Sequence, residues 1–242
     1  DAAKCFESRF ILVSSDKAAA PASVMGATKR LAELVVLSQA SDRFAPAVVR
    51  FGNVLGSSGS LLTILRECIR AGQPVPVTDP EATRYFMTAG EAVSLVMKVD
   101  LGGQSNETFW LDMGDPIRIG DLVERMLQME QANGYGRVPI DLIGLRPGEK
   151  RQERLVEQGT SMAPTGHPRI WVARQPAVDD VTVANALSRL RRAQALADDS
   201  EALVALADAV PEFIPTAETV ATVHGAAVAY LSRHVQPLAR AV

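Results

Sequence analysis

Two short apolar runs with a helix-period segment between them constrain this chain more than any other feature. Phe10–Val13 is a continuous apolar stretch, and Ala47–Phe51 (AVVRF) is a second. Runs of this length fit strands of a parallel sheet, which are covered on both faces and so lack the alternation of a half-exposed strand. From Met25 to about Gln39, residues Ala27, Leu31, Leu34 and Val35 recur at helical spacing, with Lys29, Arg30 and Glu33 interleaved. Strand, helix, strand in this order makes one right-handed βαβ unit, with Phe10–Val13 as a central strand buried on both faces. A polar cluster, Ser14-Ser15-Asp16-Lys17, closes the first strand at its carboxyl end. Open α/β sheets bind their ligands there.

The remaining chain continues the α/β alternation and then becomes helical. Leu61–Ala71 reads as a helix stopped by Gly72, and PVPVTDP from Pro74 as a proline-punctuated loop. Thr88-Ala89-Gly90-Glu91 is a capping-box pattern ahead of the apolar face of Val93, Val96 and Met97. Thr108–Met113 reads as a strand, Pro116–Ile119 alternates briefly, Asp121–Met129 is an amphipathic helix and Ile140–Ile143 a short strand. After about Gln175 the composition shifts to Ala, Leu, Val, Asp and Arg, and Val183–Ala197, Ser200–Val210 and Ala217–Arg233 read as helices. No internal repeat or low-complexity tract interrupts the order.

Bulk properties exclude several function classes. A net charge of −3 leaves no basic excess for a dedicated nucleic-acid surface, although a local pocket for one diphosphate is compatible with it. Cys5 and Cys68 have no metal-ligand spacing and form no disulfide framework, which points to a reducing compartment. The histidines His167, His224 and His234 are scattered and make no metal site; His167 is expected to be structural, the other two to lie on the surface. GSSGS at Gly56–Ser60 is not the strand–turn–helix elbow of a hydrolase. No apolar run approaches the roughly 20 residues of a bilayer span, and no segment reads as a signal peptide. The first residue is Asp1, and no glycine-rich pyrophosphate loop follows an early strand. The chain is therefore read as the C-terminal part of a longer protein. Removing neighbouring parallel strands would expose apolar edges and leave a sticky, marginal fragment.

The order of strand, Ser-Asp-Lys, Pro21 and a helix bearing Met25 and Lys29 four residues apart resembles the catalytic centre of the extended short-chain dehydrogenase/reductase superfamily. There a hydroxyl residue ends a strand and Tyr-x-x-x-Lys lies on the next helix; Met25 stands here at the Tyr position. Met in that place, with Ser-Asp-Lys upstream, is similar to the nucleotide-sugar 4,6-dehydratases of the polysaccharide biosynthesis (CapD-like) family. RFGNVLGSSGS (Arg50–Ser60), TDPEATRYFMT (Thr78–Thr88) and GLRPGEK (Gly144–Lys150) follow in the family's order, so the resemblance covers about Phe10 to Trp171. It implies an α/β fold: a partial Rossmann-like doubly wound parallel sheet with a small α/β substrate domain and C-terminal helices. Residues 1–101 would form the C-terminal half of the NAD-binding domain, with 57–81 contributing to the substrate side. Residues 102–180 would bind the nucleotide sugar, and 181–242 would form the helical region.

The resemblance also implies a reaction: NAD-dependent dehydration of a UDP-sugar to a 4-keto-6-deoxy sugar for surface glycans, with UDP-N-acetylglucosamine the favoured substrate. Asp16 and Lys17 would be the acid and base of the elimination, Ser15 the superfamily hydroxyl, Met25 the Tyr replacement and Lys29 the ribose-holding lysine. Because adjacent opposite charges would push both groups away from those roles, their side chains are expected to diverge. Ser14, Lys29, Phe51 and Gly52 would adjoin NAD, which is favoured over NADP. Asn53, Ser57, Arg84, Arg146 and Glu149 would bind the substrate, the two arginines as diphosphate clamps. Tyr85 is expected to pack rather than react. The partners implied are a UDP-sugar, a second copy of the full-length protein and, through a missing N-terminal part, the cytoplasmic face of a membrane; otherwise the protein would be cytoplasmic. Two other readings stand beside this one: a UDP-sugar epimerase or reductase on the same fold, which Met25 opposes, and a non-catalytic nucleotide-sugar-binding fragment, which the missing glycine loop motivates.

Overall fold

The computed structural model describes residues 2–6, 8–57, 59–99, 107–156, 160–174, 178–225, 227–228 and 231. The elements run α1 (Ala2–Cys5), β1 (Ile11–Val13), α2 (Val24–Leu37), β2 (Ala47–Arg50), β3 (Asn53–Leu55), α3 (Leu61–Arg70), β4 (Val75–Val77), β5 (Thr83–Arg84), β6 (Phe86–Thr88) and α4 (Ala89–Val96). They continue with β7 (Glu107–Leu111), β8 (Ile117–Arg118), α5 (Ile119–Ala132), β9 (Ile140–Leu142), β10 (Ala163–Pro164), β11 (Ile170–Arg174), α6 (Asp180–Leu196), α7 (Asp199–Ala209) and α8 (Ala217–Ala221).

The main sheet has the order β1-β2-β7-β11-β10. β1, β2 and β7 are parallel, in the register Val13↔Val49 and Val49↔Phe109, and β11 and β10 close the far edge antiparallel. The expected βαβ unit is present as β1-α2-β2. Alternation along the strands separates the two faces. Ala47, Val49, Phe109, Leu111 and Ile170 pack on one face against Ala92 and Leu95 of α4. Arg50 and Trp110 point to the other, where α2 lies, and the Arg50 guanidinium stacks 5.5 Å from the Trp110 ring centre. Helices on both faces of a largely parallel sheet make a Rossmann-like, doubly wound arrangement. β7 and β11 lie in the segment assigned by sequence to the nucleotide-sugar unit, yet both pair into this sheet.

Local chemistry explains the helix starts. Ser23 caps α2, its hydroxyl accepting from the Gly26 N–H at 3.1 Å. The capping box at α4 is reciprocal: Glu91 N–H donates to Thr88 Oγ1 at 3.2 Å and Thr88 N–H to Glu91 Oε2 at 2.9 Å. Those Thr88 bonds are the first cause holding the Glu91 carboxyl below its usual range. Two further apolar clusters complete the molecule. Leu65 and Ile69 of α3, Val75 and Val77 of β4, and Val123 and Met126 of α5 form one. In the other, α6, α7 and the chain to Leu231 pack on Ala27 and Leu31 of α2.

Three expectations are corrected. β1 is an edge strand among the described residues, and Val13 is 52% exposed, because only β2 pairs with it. PVPVTDP is not all loop: Val75–Val77 pairs in parallel with Ile140–Leu142. Proline is tolerated at Pro76 because β4 has a single partner strand among the described residues. The last expected helix is interrupted after Ala221, where Gly225 takes a left-handed φ of 66° while His224 N–H turns to Ser200 Oγ, and helix is described again at 227, 228 and 231. Residues 226, 229, 230, 232 and 233 of that expected helix lie outside the described residues, as do 100–106 at the boundary between the first two expected units.

Candidate active site

Beyond the carboxyl ends of β1 and β2 lies a cavity of about 590 Å³, lined among others by Lys17, Met25, Asn53, Arg146 and Lys150. That volume is in the range of small-molecule sites. The sequence-selected residues Lys17, Met25, Asn53, Ser57, Arg84, Arg146 and Glu149 all reach it, although they come from segments far apart in the chain. Ser14, Ser15, Asp16, Lys29, Phe51 and Gly52 do not line it.

Asp16–Ala18 forms a 3-10 turn capped by Ser15, whose hydroxyl accepts from Lys17 N–H at 3.2 Å. Asp16 is fully buried. Its Oδ1 accepts from Lys17 Nζ at 2.9 Å and from Ser15 Oγ at 3.0 Å; its Oδ2 has no hydrogen-bond partner among the described residues. The expected divergence of Asp16 and Lys17 is therefore corrected. A carboxylate buried without a cation is costlier than a paired one, and the adjacent Lys17, with a side chain 26% exposed, is close enough to supply the cation. Gly52 makes this burial possible: a Cβ there would stand 3.1 Å from Asp16 Oδ2 and 3.1 Å from the Tyr85 carbonyl. A Cβ at Gly26 would lie 2.5 Å from the Lys17 carbonyl, so the first turn of α2 abuts this loop.

Met25 is 49% exposed and turns an apolar side chain to the cavity. Lys29, one turn further along α2, is exposed and has no ion pair among the described residues. Ser14 is committed elsewhere, donating to Glu33 Oε1 at 2.5 Å, and Phe51 is buried in the sheet core.

Asn53 lines the cavity while its Nδ2 donates to the Tyr85 carbonyl at 3.2 Å; exposed Ser57 donates to the Val54 carbonyl at 3.0 Å. The two candidate clamps differ. Arg84 is buried, and its guanidinium is occupied by the carbonyls of Thr83 and Arg151 and by Glu149 Oε1, at 2.9, 3.1 and 3.0 Å. Glu149 also accepts from Thr78 Oγ1 and, through Oε2, from the Arg146 N–H. It thus ties the Arg146–Lys150 turn to β5. The Arg146 side chain is exposed and has no partner among the described residues. Gly148 holds the turn in place with a φ of 74°; a Cβ there would lie 2.6 Å from the Ala22 carbonyl. His167 is structural, its Nδ1 accepting from Arg169 N–H at 3.2 Å within a turn.

Two features escape the sequence. Glu33 of α2 is fully buried; it accepts from Arg50 Nε at 2.8 Å and from Arg30 at 3.1 Å as well as from Ser14. The signal was a charge inside an apolar strand run, Arg50 in AVVRF, which demands a buried partner. The second is Lys150, whose Nζ donates to the Ala19 carbonyl at 3.0 Å and stands 3.6 Å from the buried carboxylate of Glu153. Among the described residues there is no cluster of metal-binding side chains, and no helix is long and apolar enough to cross a membrane.

Residues 1–175 match the family model described as polysaccharide biosynthesis protein. The probable polysaccharide biosynthesis protein EpsC of Bacillus subtilis is 44% identical over 168 residues, which is 68% of this chain and 28% of that protein. The capsular polysaccharide biosynthesis protein CapD of Staphylococcus aureus is 44% identical over 153 residues, or 62% of this chain and 25% of that protein. Among solved structures, Pen from Bacillus thuringiensis superposes with a TM-score of 0.64 at 31% identity, covering 74% of this chain and 57% of that one. The chain therefore spans about a quarter of the length of these curated relatives.

Proposed function

The chain belongs to the polysaccharide biosynthesis protein family, and from that premise we propose that it carries the substrate half of an NAD-dependent UDP-sugar 4,6-dehydratase acting on UDP-N-acetylglucosamine. The observation that carries this reading is the wall of one cavity. It combines a lysine paired to a buried aspartate, a methionine where a proton-exchanging tyrosine would serve an epimerase, and an arginine with a free guanidinium.

The residues fit NAD in part. Lys29 on α2 presents an exposed ammonium with no ion pair among the described residues, suited to ribose hydroxyls, whereas Ser14 is engaged by Glu33 and Gly52 is packed on Asp16. When bound there, NAD would supply acceptance of the carbon 4 hydride and its return to carbon 6. Arg146 binds the diphosphate, the task a fork-shaped guanidinium performs with two oxygens at once. Arg84 joins it only by releasing Glu149.

Asp16 and Lys17 handle the protons of the elimination. One proton passes from Lys17 to Asp16 along their 2.9 Å hydrogen bond. This leaves an amine on the cavity wall to take the carbon 5 proton; the Asp16 carboxyl, buried behind it, must turn out toward the departing carbon 6 hydroxyl to protonate it. The proton released from the carbon 4 hydroxyl balances the one lost in water, and the carbon 5 proton is returned when carbon 6 is reduced. Met25 exchanges no proton, so the carbon 4 proton leaves through Asp16, Ser15 or water.

The test is to give UDP-N-acetylglucosamine to the natural protein containing this chain and follow product mass and cofactor absorbance. Loss of one water without net change in NAD is expected. An isomer of unchanged mass would make the enzyme an epimerase, net cofactor turnover a reductase, and binding without conversion a non-catalytic protein.

A further inference from the structure

The turn that bears Arg146 also grips the loop that bears Asp16 and Lys17. Lys150 Nζ donates to the carbonyl of Ala19 at 3.0 Å. Ala19 is the residue that closes the 3-10 turn Asp16–Ala18, its own N–H bonded to the Asp16 carbonyl at 3.1 Å. A carbonyl at a helix end lacks an internal partner and is commonly satisfied by a lysine side chain. The next residue, Ala20, sits at a φ of 43°, a left-handed conformation costly for any residue with a Cβ. Strained backbone persists only where the surroundings hold it, and here Ala18 and Ala19 are fully buried and Lys150 holds the carbonyl between them and the strain.

Lys150 occupies this place at a net electrostatic cost. Burial lowers its pKa below the usual 10.5, and the opposing attraction of Glu153 and Asp16 does not cancel that effect. An apolar side chain of similar length would avoid the cost. A half-buried ammonium bonded to a backbone carbonyl indicates a task beyond filling space.

We propose that Lys150 is a positioning residue for the Asp16–Lys17 pair, acting through the Ala19 carbonyl. The proposal rests on the dehydratase reading for its kinetic consequence but not for its structural one. It links two parts of the site: the segment presenting the exposed Arg146 guanidinium to a diphosphate also fixes the loop that manages the protons, with Gly148 seated against Ala22 and Ser23 in between.

The experiment uses the natural protein with Lys150→Met, Lys150→Arg and, as a second way to unseat the turn without touching Lys150, Gly148→Ala. Three quantities are measured: kcat and KM for UDP-N-acetylglucosamine, the Kd for UDP by calorimetry, and amide hydrogen exchange across residues 16–20. A displacement of about 1 Å costs on the order of 100-fold in rate, so Lys150→Met is expected to lower kcat about 100-fold. Its Kd for UDP should stay within a few-fold, exchange at Ala18 and Ala19 should quicken, and Lys150→Arg should restore most of the rate. Gly148→Ala is expected to quicken the same amides. An unchanged kcat with wild-type exchange would overturn the proposal; so would weakened UDP binding with kcat preserved, which would make Lys150 a phosphate ligand. If the unmodified protein performs no dehydration, the functional reading fails while the exchange data still decide the positioning role.

Discussion

Asp16 has one oxygen held by two donors and one held by none, and that asymmetry governs what its neighbours contribute. Lys17→Ala removes the proposed base and the main donor to Oδ1 together. Turnover is expected to fall about 10²- to 10⁴-fold, the usual contribution of a positioned acid or base. The Kd for UDP-sugar should barely move, and near-normal turnover in steady-state assays would remove Lys17 from the mechanism. Arg146→Ala tests the opposite behaviour. With no internal partner to lose among the described residues, it should leave melting temperature unchanged and weaken UDP-sugar binding by about 1.5–3 kcal/mol, the value of a charged hydrogen bond; unchanged affinity by calorimetry would reject the clamp. Residue identities of this kind were readable, since Ser-Asp-Lys and GLRPGEK name their own chemistry. The pairing of Asp16 with Lys17 was not readable, because it follows from burial under Gly52 and Ala18, and that burial depends on β2 and on β6's preceding residue Tyr85.

Among the elements, α2 is built in a way its periodicity did not reveal. The residues interleaved as polar, Arg30 and Glu33, are buried, and Glu33 joins α2 to β1 through Ser14 and to β2 through Arg50. A periodic apolar stripe identifies the helix and its length correctly, yet it cannot say which side meets the sheet when a salt-bridged network serves as the contact. Glu33→Ala removes the buried carboxylate that accepts from Arg50, Arg30 and Ser14. Such a break costs about 3–5 kcal/mol, measured by chemical denaturation, and a loss below about 1 kcal/mol would show that the network is dispensable. β4 was hidden for a related reason: a strand that pairs with one neighbour accepts Pro76, and local propensity alone marks the segment as loop.

At the scale of the whole molecule, carboxylates held below their ordinary pKa pin α5 to α3 and the segment after β4 to the Arg146–Arg151 segment, and this sets an acid limit on stability. Glu130 of α5 lies under α3; Arg70, at 2.8 Å, is the first cause of its lowering and Arg66, at 3.3 Å, a lesser one. Asp79 is lowered first by Arg151, at 2.7 Å, and then by the Glu81 N–H. A carboxyl with a lowered folded pKa gives its stabilisation above its unfolded value, near 4.5 for Glu130 and 3.8 for Asp79, and loses it as pH falls through the folded value. Melting temperature should therefore decline from about pH 4.5 downward, and Glu130→Gln should flatten that decline; an unchanged slope would exclude Glu130 as a contributor.

The helix that carries Met25 and Lys29 turns charge toward the sheet and Ala27 and Leu31 toward α6 and α7. During synthesis the strands that meet its charged side are made early, but Leu206, which covers its apolar side, emerges roughly 175 residues after Leu31. At about 5–20 residues per second this is an interval of roughly nine to thirty-five seconds. For that time the nascent chain bears an uncovered apolar ridge on this helix, so the speed of the ribosome between the codons of Leu31 and Leu206 sets how long chaperones have to shield it.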